Sequence, residues 1–442
     1  MKNDIKRFDF PSKSKKTILS LGAESAGNFS IFKNGKIYYS EDFGDLLNNK
    51  NFSNFKKSVL KFIKKEKIYP NIIITDLHPK MKTTRWGESL VKKNSAQSKS
   101  ASGGKTEHIK VQHHHAHILS QIFNHKLKVT NYNLYGIALD GTGFGLDKNI
   151  WGGEIFKISK TPQIKNHKFQ TVNYKLTRIG HLENQTLIGG DLAIYEPARL
   201  LISILSKIKI ETKKINNTTI LRNMVVLDEG NLQKNLAYHF VKKYYNQNQF
   251  ELLWNQFKQN FNCQKTSSAG RILDAVSILL GFAKNERKQK HEATHLLEKN
   301  STIPYLNLKP IIKKQIKTLN KNCESPVTNY ELLTTPLFKY LIKNLHRDKH
   351  RLASTTQLYI AQGLYEIIKK HHFTTSTGRR PVDDGSIILS GGISNNEIIL
   401  NYFESKKNKS NISLKISDKN IPRGDAGLSV GQIAYYLFRE QV

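Results

Sequence analysis

The chain has 442 residues, of which 38% are hydrophobic and 10% aromatic, and it carries a formal net charge of +35. That length can hold two or three domains with real cores, and no run of about eighteen apolar residues marks a transmembrane helix. Lysines are scattered throughout, with only short clusters (Lys13, Lys15, Lys16; Lys92, Lys93; Lys313, Lys314, Lys317), and no zinc-finger, RNP or helix-turn-helix signature accompanies them; a solvated basic surface is favoured over specific RNA binding.

The opening, Met1-Lys2-Asn3-Asp4, leads into no apolar stretch of the kind a signal peptide needs. Cys263 and Cys323 make neither a disulfide framework nor a zinc knuckle. A cytoplasmic setting is expected. Residues 1–16 read as a loose basic lead-in. Thr17 to Leu21 reads as a buried strand, and the strands flanking Asn34-Gly35 carry a strong hairpin signal. A helix is expected from about Phe52 to Lys65. The strand Asn71–Thr75 then delivers Asp76-Leu77-His78-Pro79 to its C-terminal end, where open α/β sheets place ligands. Residues 92–107 have the composition of a mobile loop.

Four histidines fall within five residues in Val111-Gln112-His113-His114-His115-Ala116-His117. The apolar continuation through Ile118, Leu119 and Ile122 predicts a helix. On a helix, His113 and His117 share one face at i and i+4, a spacing with which two imidazoles can hold one metal. The plainer reading is a polar surface cluster. The strand Leu134–Leu139 is expected to open into a glycine turn, Asp140-Gly141-Thr142-Gly143, and Ile150–Phe156 to return as the second strand of a hairpin. Strand–turn–strand units thus begin twice, near residues 17 and 134, as two related lobes facing a cleft would require.

Residues 185 to about 375 read as mostly helical, with apolar spacing over Asp191–Leu205, Ala237–Tyr245, Ala269–Lys284 and Ser354–His371. The close is α/β again: the strand Ser386–Leu389, the turn Ser390-Gly391-Gly392, a strand near Ser413–Ile416, and a last amphipathic helix. Two strand-to-glycine turns leave backbone N–H groups free to cradle phosphate. Asp425, after Pro422 and Gly424, is the best third metal ligand, with Asp140 as a second carboxylate; the alternative for Asp425 is a helix cap. Asp274, among apolar helical residues, wants a ribose hydroxyl or a basic side chain as partner.

Taken together these residues resemble the carbamoyltransferase (Kae-like) portion of the HypF family of hydrogenase-maturation proteins. The matching stretches run in order: Asp76–Pro79, Val111–His117, Leu139–Gly145, Trp151-Gly152-Gly153-Glu154, Gly189-Gly190-Asp191 with Glu196-Pro197, Ser267–Asp274, Ser390-Gly391-Gly392 with Asn396, and Asp425–Gln432. The resemblance implies an α/β, two-lobed actin/Hsp70-like fold. Its lobes are expected at residues 17–133 and 134–442, with a large helical insertion at about 185–375 and the C-terminal helix packing back.

It also implies a site. His113, His117, Asp140 and Asp425 would bind a divalent metal, iron or zinc, and carry catalysis. Gly141, Thr142, Gly143, Gly391 and Gly392 would hold phosphate, Asp274 the ribose and Asn396 the adenine of a carbamoyl adenylate made from ATP. The acceptor would be a HypE-like C-terminal cysteine or a small molecule. The acylphosphatase-like, zinc-finger and YrdC-like portions of full-length HypF have no counterpart in sixteen upstream residues, so a separate YrdC-like protein is expected to supply the adenylate. Lys290-His291-Glu292-Ala293-Thr294 departs from the family's Tyr-Glu-Gly-Gln pattern. A tRNA-modifying transferase and a degenerate nucleotide-binding scaffold are the alternatives.

Overall fold

Phe8 and Phe10 draw the start of the chain into the structure. A computed structural model describes residues 5–97, 105–127, 134–165, 169–209, 213–215, 218–221, 224–226, 232–317, 327–375, 385–407, 412–415 and 420–440. The expected loose lead-in supplies strand β1 (Lys6–Asp9). Phe10 is buried and stacks on Phe123 with ring centroids 5.3 Å apart, which holds the strand against the domain. With β2 (Ile18–Ser20), β3 (Ser30–Lys33), β4 (Lys36–Tyr39), β5 (Ile72–Asp76) and β6 (Glu107–Val111), it forms a six-stranded sheet in the order β1-β4-β3-β2-β5-β6. The β3–β4 reversal is at Asn34-Gly35, both in the left-handed region at φ 50° and 74°, as a tight hairpin turn requires. Helix α1 (Asn49–Lys65) precedes β5, and α2 (Lys82–Gln97) precedes β6. Lys92 to Gln97, expected in a loop, are the last turns of α2; residues 98–104 lie outside the described residues.

After α3 (His113–Asn124), β7 (Leu134–Phe144), β8 (Ile150–Lys165) and β9 (Phe169–Leu182) begin the second sheet. Then come β10 (Gln185–Ile188), α4 (Leu192–Tyr195), α5 (Ala198–Leu205) and a small antiparallel sheet of β11 (Lys213–Ile215), β12 (Thr218–Leu221) and β13 (Met224–Val226). The chain continues through α6 (Leu232–Val241), α7 (Gln247–Lys258), β14 (Cys263–Thr266), α8 (Ala269–Leu280), α9 (Glu292–Lys299), β15 (Ile312–Lys317), β16 (Val327–Leu332), α10 (Thr335–Lys343) and α11 (Lys349–Thr375). It closes with β17 (Gly385–Ser390), α12 (Glu397–Lys407), β18 (Ile412–Lys415) and α13 (Leu428–Glu440). The expected helix over Asp191–Leu205 breaks at Glu196-Pro197 into α4 and α5, because proline removes an N–H and disfavours a helical residue before it. The mostly helical stretch also contains strands. Of these, β15 is a lysine-rich edge strand paired, among the described residues, only with β16, a composition that suits an edge.

The two sheets repeat one topology. In the first, β2 pairs antiparallel with β3 and parallel with β5, and β5 with β6. In the second, β7 pairs antiparallel with β8 and parallel with β17, and β17 with β18. Helices α3 and α13 pack against each other and reach both sheets. Ile118, Leu119 and Ile122 of α3 meet Val430, Ile433 and Leu437 of α13 in one buried cluster, each such side chain contributing about 2 kcal/mol by burial. The Gln432 amide oxygen accepts from Ser20 Oγ at 2.6 Å and from the Gly22 N–H at 3.1 Å, which fixes α13 to the first sheet. Among the described residues no helix is long and apolar enough to cross a membrane.

One buried histidine gives the fold a pH signature. Burial, then Lys157 and His372, pushes the His371 imidazole on α11 down to about 4. The unfolded chain takes up that proton near 6.5, so the stability is whole above about 6.5 and lost as pH falls toward 4. Wild type is therefore expected to lose up to about 3 kcal/mol relative to His371→Gln over that window, read by urea unfolding. Parallel pH profiles for the two proteins would contradict it.

Candidate metal centre

β5 ends at Asp76, and β6 runs alongside it into α3, so the sheet aims the start of the histidine helix at the end of its neighbour strand. Gln112 caps α3: its side-chain oxygen accepts from the His115 N–H at 2.9 Å, and its amide donates to the Phe144 carbonyl at 3.1 Å. The second link ties the helix start to β7. His113 and His117 then lie one turn apart, both buried, with ring centroids 4.9 Å apart.

Strand β7 corrects the expected glycine turn. It continues through Asp140 to Phe144, with a register shift against β8 between Leu139 and Gly143. Such a bulge re-aims a side chain without ending the strand, and here it leaves Asp140 pointing at the histidines. A Cβ on Gly143 would press on His114 and come within 2.9 Å of His113 Cδ2. Gly143 thus serves the packing of the histidines. From the other side, Asp425 opens a 3-10 turn (Asp425–Gly427) just before α13.

The four side chains meet. His113 Nε2 is 3.1 Å from Asp140 Oδ2 and 3.6 Å from Asp425 Oδ1; His117 Nε2 is 3.8 Å and 3.2 Å from the same two oxygens. All four ligand atoms lie within 4.8 Å of one another. Ligands about 2.1 Å from a shared ion sit about 3.0–3.4 Å apart, so the set is spaced for one ion. Both ring nitrogens of His117 and Asp425 Oδ1 are buried without a hydrogen-bond partner among the described residues, a costly arrangement unless something else satisfies them. Two imidazoles and two carboxylates suit zinc or iron better than calcium.

Electrostatics agree with the geometry. Burial opposes a charged His113, but Asp76, Asp140 and Asp425 outweigh it and raise its pKa well above the usual value. His117 is raised against burial in the same way by Asp140 and Asp425. Burial would push the Asp140 carboxyl up, yet the His113 and His117 imidazoles beside it hold it well below the usual range; Asp425 is lowered too, against burial and Asp140, by the same histidines. The pocket asks for positive charge, and a divalent ion would meet the demand that imidazolium otherwise meets. His114 goes the other way, depressed by burial and by His113, and packs near Trp151.

Asp76, to which the sequence assigned no role, completes the set. Its Oδ2 is 2.7 Å from His113 Nδ1, and its Oδ1 accepts from the His78 N–H at 2.8 Å. A carboxylate on Nδ1 fixes the tautomer that presents Nε2 to a metal. Asp76→Asn is expected to lower metal affinity 10- to 100-fold with the helical circular-dichroism signal unchanged, measured by chelator competition. Unaltered affinity would remove Asp76 from the centre.

The cluster sits at one side of a cleft of about 370 Å³ that His113, Asp140, Gly141, Thr142 and Asp425 help to line. The remaining predicted residues are placed differently. Gly391 (φ 89°) donates its N–H to the Arg423 carbonyl at 2.8 Å, and a Cβ there would fall on the Leu139 carbonyl. Gly392 lies beside Asp140, with Oδ1 3.6 Å from where its Cβ would be. Asn396 caps α12, its Oδ1 accepting from the Ile399 N–H at 3.1 Å, and donates to Gln357 at 2.5 Å. Asp274 accepts from Thr294 Oγ1 at 2.7 Å and lies 2.9 Å from Arg271 Nη2, so a basic side chain is its partner. Arg271, Arg287 and His291 line the cleft and were not anticipated.

The chain has recognisable relatives among known proteins. The family described as "Carbamoyltransferase, Kae1-like Domain, second subdomain" matches residues 136–432, and the HypF Kae1-like domain matches residues 13–124. A probable carbamoyltransferase HypF from Methanocaldococcus jannaschii is 31% identical over 96% of this chain and 46% of its own length. Carbamoyltransferase HypF from Synechocystis is 28% identical over 65% of this chain and 32% of its own. Full-length HypF solved in a phosphate- and nucleotide-bound form superposes with a TM-score of 0.73 at 22% identity, covering 97% of this chain and 47% of that one. HypF of T. kodakarensis gives 0.72 at 24%, over 98% and 48%. The chain spans about half the length of the Methanocaldococcus relative and of both solved chains, and it has their two-lobed fold.

Proposed function

This chain belongs to the HypF carbamoyltransferase family, and we propose that its cleft transfers a carbamoyl group from carbamoyl adenylate to a nucleophile on a partner. The observation that carries the reading is the convergence of His113, His117, Asp140 and Asp425 at the edge of a cleft large enough for a nucleotide. The solved relative described as phosphate- and nucleotide-bound supports the class of ligand. A YrdC-like activity is the proposed source of the adenylate, and a HypE-like C-terminal cysteine the proposed acceptor.

A divalent ion held by the two histidines and two aspartates would supply Lewis-acid charge beside the phosphate leaving group. The chain's own residues do the rest. Asp76 keeps the His113 Nδ1 proton in place and leaves Nε2 facing Asp140 and Asp425. The β7 bulge sets Asp140 between the histidines and the cleft. Gly141 and Thr142 form the adjoining wall. The acceptor sulfur bonds to the carbamoyl carbon, the C–O bond to phosphate breaks, and AMP departs with the electron pair; an acceptor arriving as thiolate needs no base from the protein.

The test is to incubate the metal-loaded chain with carbamoyl adenylate and a peptide ending in cysteine. The expected products are AMP and peptide heavier by one carbamoyl group, with label following the thiol. Unmodified peptide and intact donor would refute the reading.

A further inference from the structure

The cleft wall next to the metal-ligand cluster carries more basic than acidic side chains among the described residues. Outside that cluster the lining includes Arg271, Arg287, Lys288 and Lys290 against Glu24 and Asp45. Arg271 is 2% exposed, and its Nε and Nη1 have no hydrogen-bond partner among the described residues. Only Nη2 is engaged, 2.9 Å from Asp274 Oδ2. Burying a guanidinium with two idle faces is unfavourable unless an anion fills them.

The position of that guanidinium is set by three constraints. Ser268 caps α8, accepting from the Arg271 N–H at 3.1 Å, and its hydroxyl donates to the Gly141 carbonyl at 2.5 Å. Helix α8 is thereby stitched to the β7 bulge. A Cβ on Gly141 would lie 3.6 Å from Arg271 Nη2 and 3.7 Å from His291 Cε1, so arginine, histidine and the metal ligand Asp140 surround one backbone position. Thr294, donating to Asp274 at 2.7 Å, fixes the carboxylate that steers the arginine. Arg287 faces the same space. Burial and then the like charge of Arg271 lower its pKa, against Asp274 and Asp45.

We propose that Arg271, backed by Arg287, is the receptor for a phosphoryl oxyanion bound beside the metal centre, and that Asp274 is a positioning residue for Arg271. A planar guanidinium with free N–H groups matches two phosphate oxygens at once. This inference rests on the carbamoyl-adenylate reading for the identity of the anion's owner. The oxyanion belongs either to a nucleoside monophosphate or to a small phosphate, and the probes separate the two.

The experiment is calorimetric titration of AMP, inorganic phosphate and adenosine into the full chain, wild type and variants. Arg271→Gln is expected to weaken AMP by about tenfold or more and leave adenosine unchanged, with Arg271→Lys recovering part of the loss. Asp274→Asn is expected to weaken AMP but not adenosine, a split that a merely structural role would not produce. Arg271-dependent binding of phosphate without adenosine binding assigns the site to a small phosphate instead. If Arg271→Gln unfolds, Arg287→Gln and Arg271→Lys carry the same comparison. AMP and phosphate bound equally by wild type and the arginine variants, or by none of them, would overturn the receptor, whatever the outcome of the carbamoyl-transfer assay. Arginine-dependent phosphate binding in a chain that fails that assay would sink the transfer reading and leave the receptor standing.

Discussion

His117→Ala is expected to abolish stable metal binding and to slow carbamoyl transfer on the order of 10³-fold, the several kcal/mol that Lewis-acid stabilisation of a leaving phosphate supplies. The argument is one of irreplaceable position. His117 is fully buried on α3, its Nε2 is 3.2 Å from Asp425 Oδ1 and 3.8 Å from Asp140 Oδ2, and neither ring nitrogen has a hydrogen-bond partner among the described residues. Alanine leaves two carboxylates facing one imidazole, and no other described histidine, cysteine or carboxylate joins the group. His114, the nearest substitute by sequence, packs near Trp151 and is depressed by burial. Metal content after gel filtration and the rate of AMP release measure the two effects. A variant that keeps its metal and most of its rate would show that His117 is a core histidine.

The second large effect is on stability. Gly431 on α13 faces α3 so closely that a Cβ built on it would fall on the Ala116 carbonyl. No side chain can yield there, because the obstacle is the backbone of the histidine helix itself. Gly431→Ala is expected to cost about 3 kcal/mol, the upper range for overpacking, and to displace α3 enough to weaken metal binding as well. A thermal melt in chelator and again with metal separates the two consequences. A melting temperature within error of wild type in chelator would mean that the helices move apart freely. The same contact explains why a helix at the end of the chain bears on a site near its beginning.

Much of the centre was legible in the sequence because its chemistry is local. His113 and His117 share a face by helical spacing alone, and Asp140 and Asp425 stand beside glycines where a carboxylate can be turned inward. The family resemblance carried the rest of that expectation, the fold brings the four named side chains together, and the topology repeats in two sheets as the doubled strand–turn–strand pattern implied. What could not be read were partnerships made by tertiary folding. Asp76 reaches His113 only because β5 and β6 lie side by side. Asp274 reaches Thr294 only once α9 folds against α8, whereas Arg271 is its i,i+3 neighbour on α8 itself. Composition misled where lysine and serine suggested a loop from residue 92, since Lys92 to Gln97 are the last turns of α2, and edge strand β15 lies in a stretch expected to be mostly helical. The glycine turn failed for a subtler reason, since glycines after a strand signal a bulge and a turn alike.

The most direct measurement is AMP release from carbamoyl adenylate by chelator-treated chain, followed by readdition of zinc or iron up to one equivalent. The account predicts that release stops on chelation and returns in step with metal, saturating at about one ion per chain. Release that persists without metal, or fails to appear with one ion bound, would contradict it.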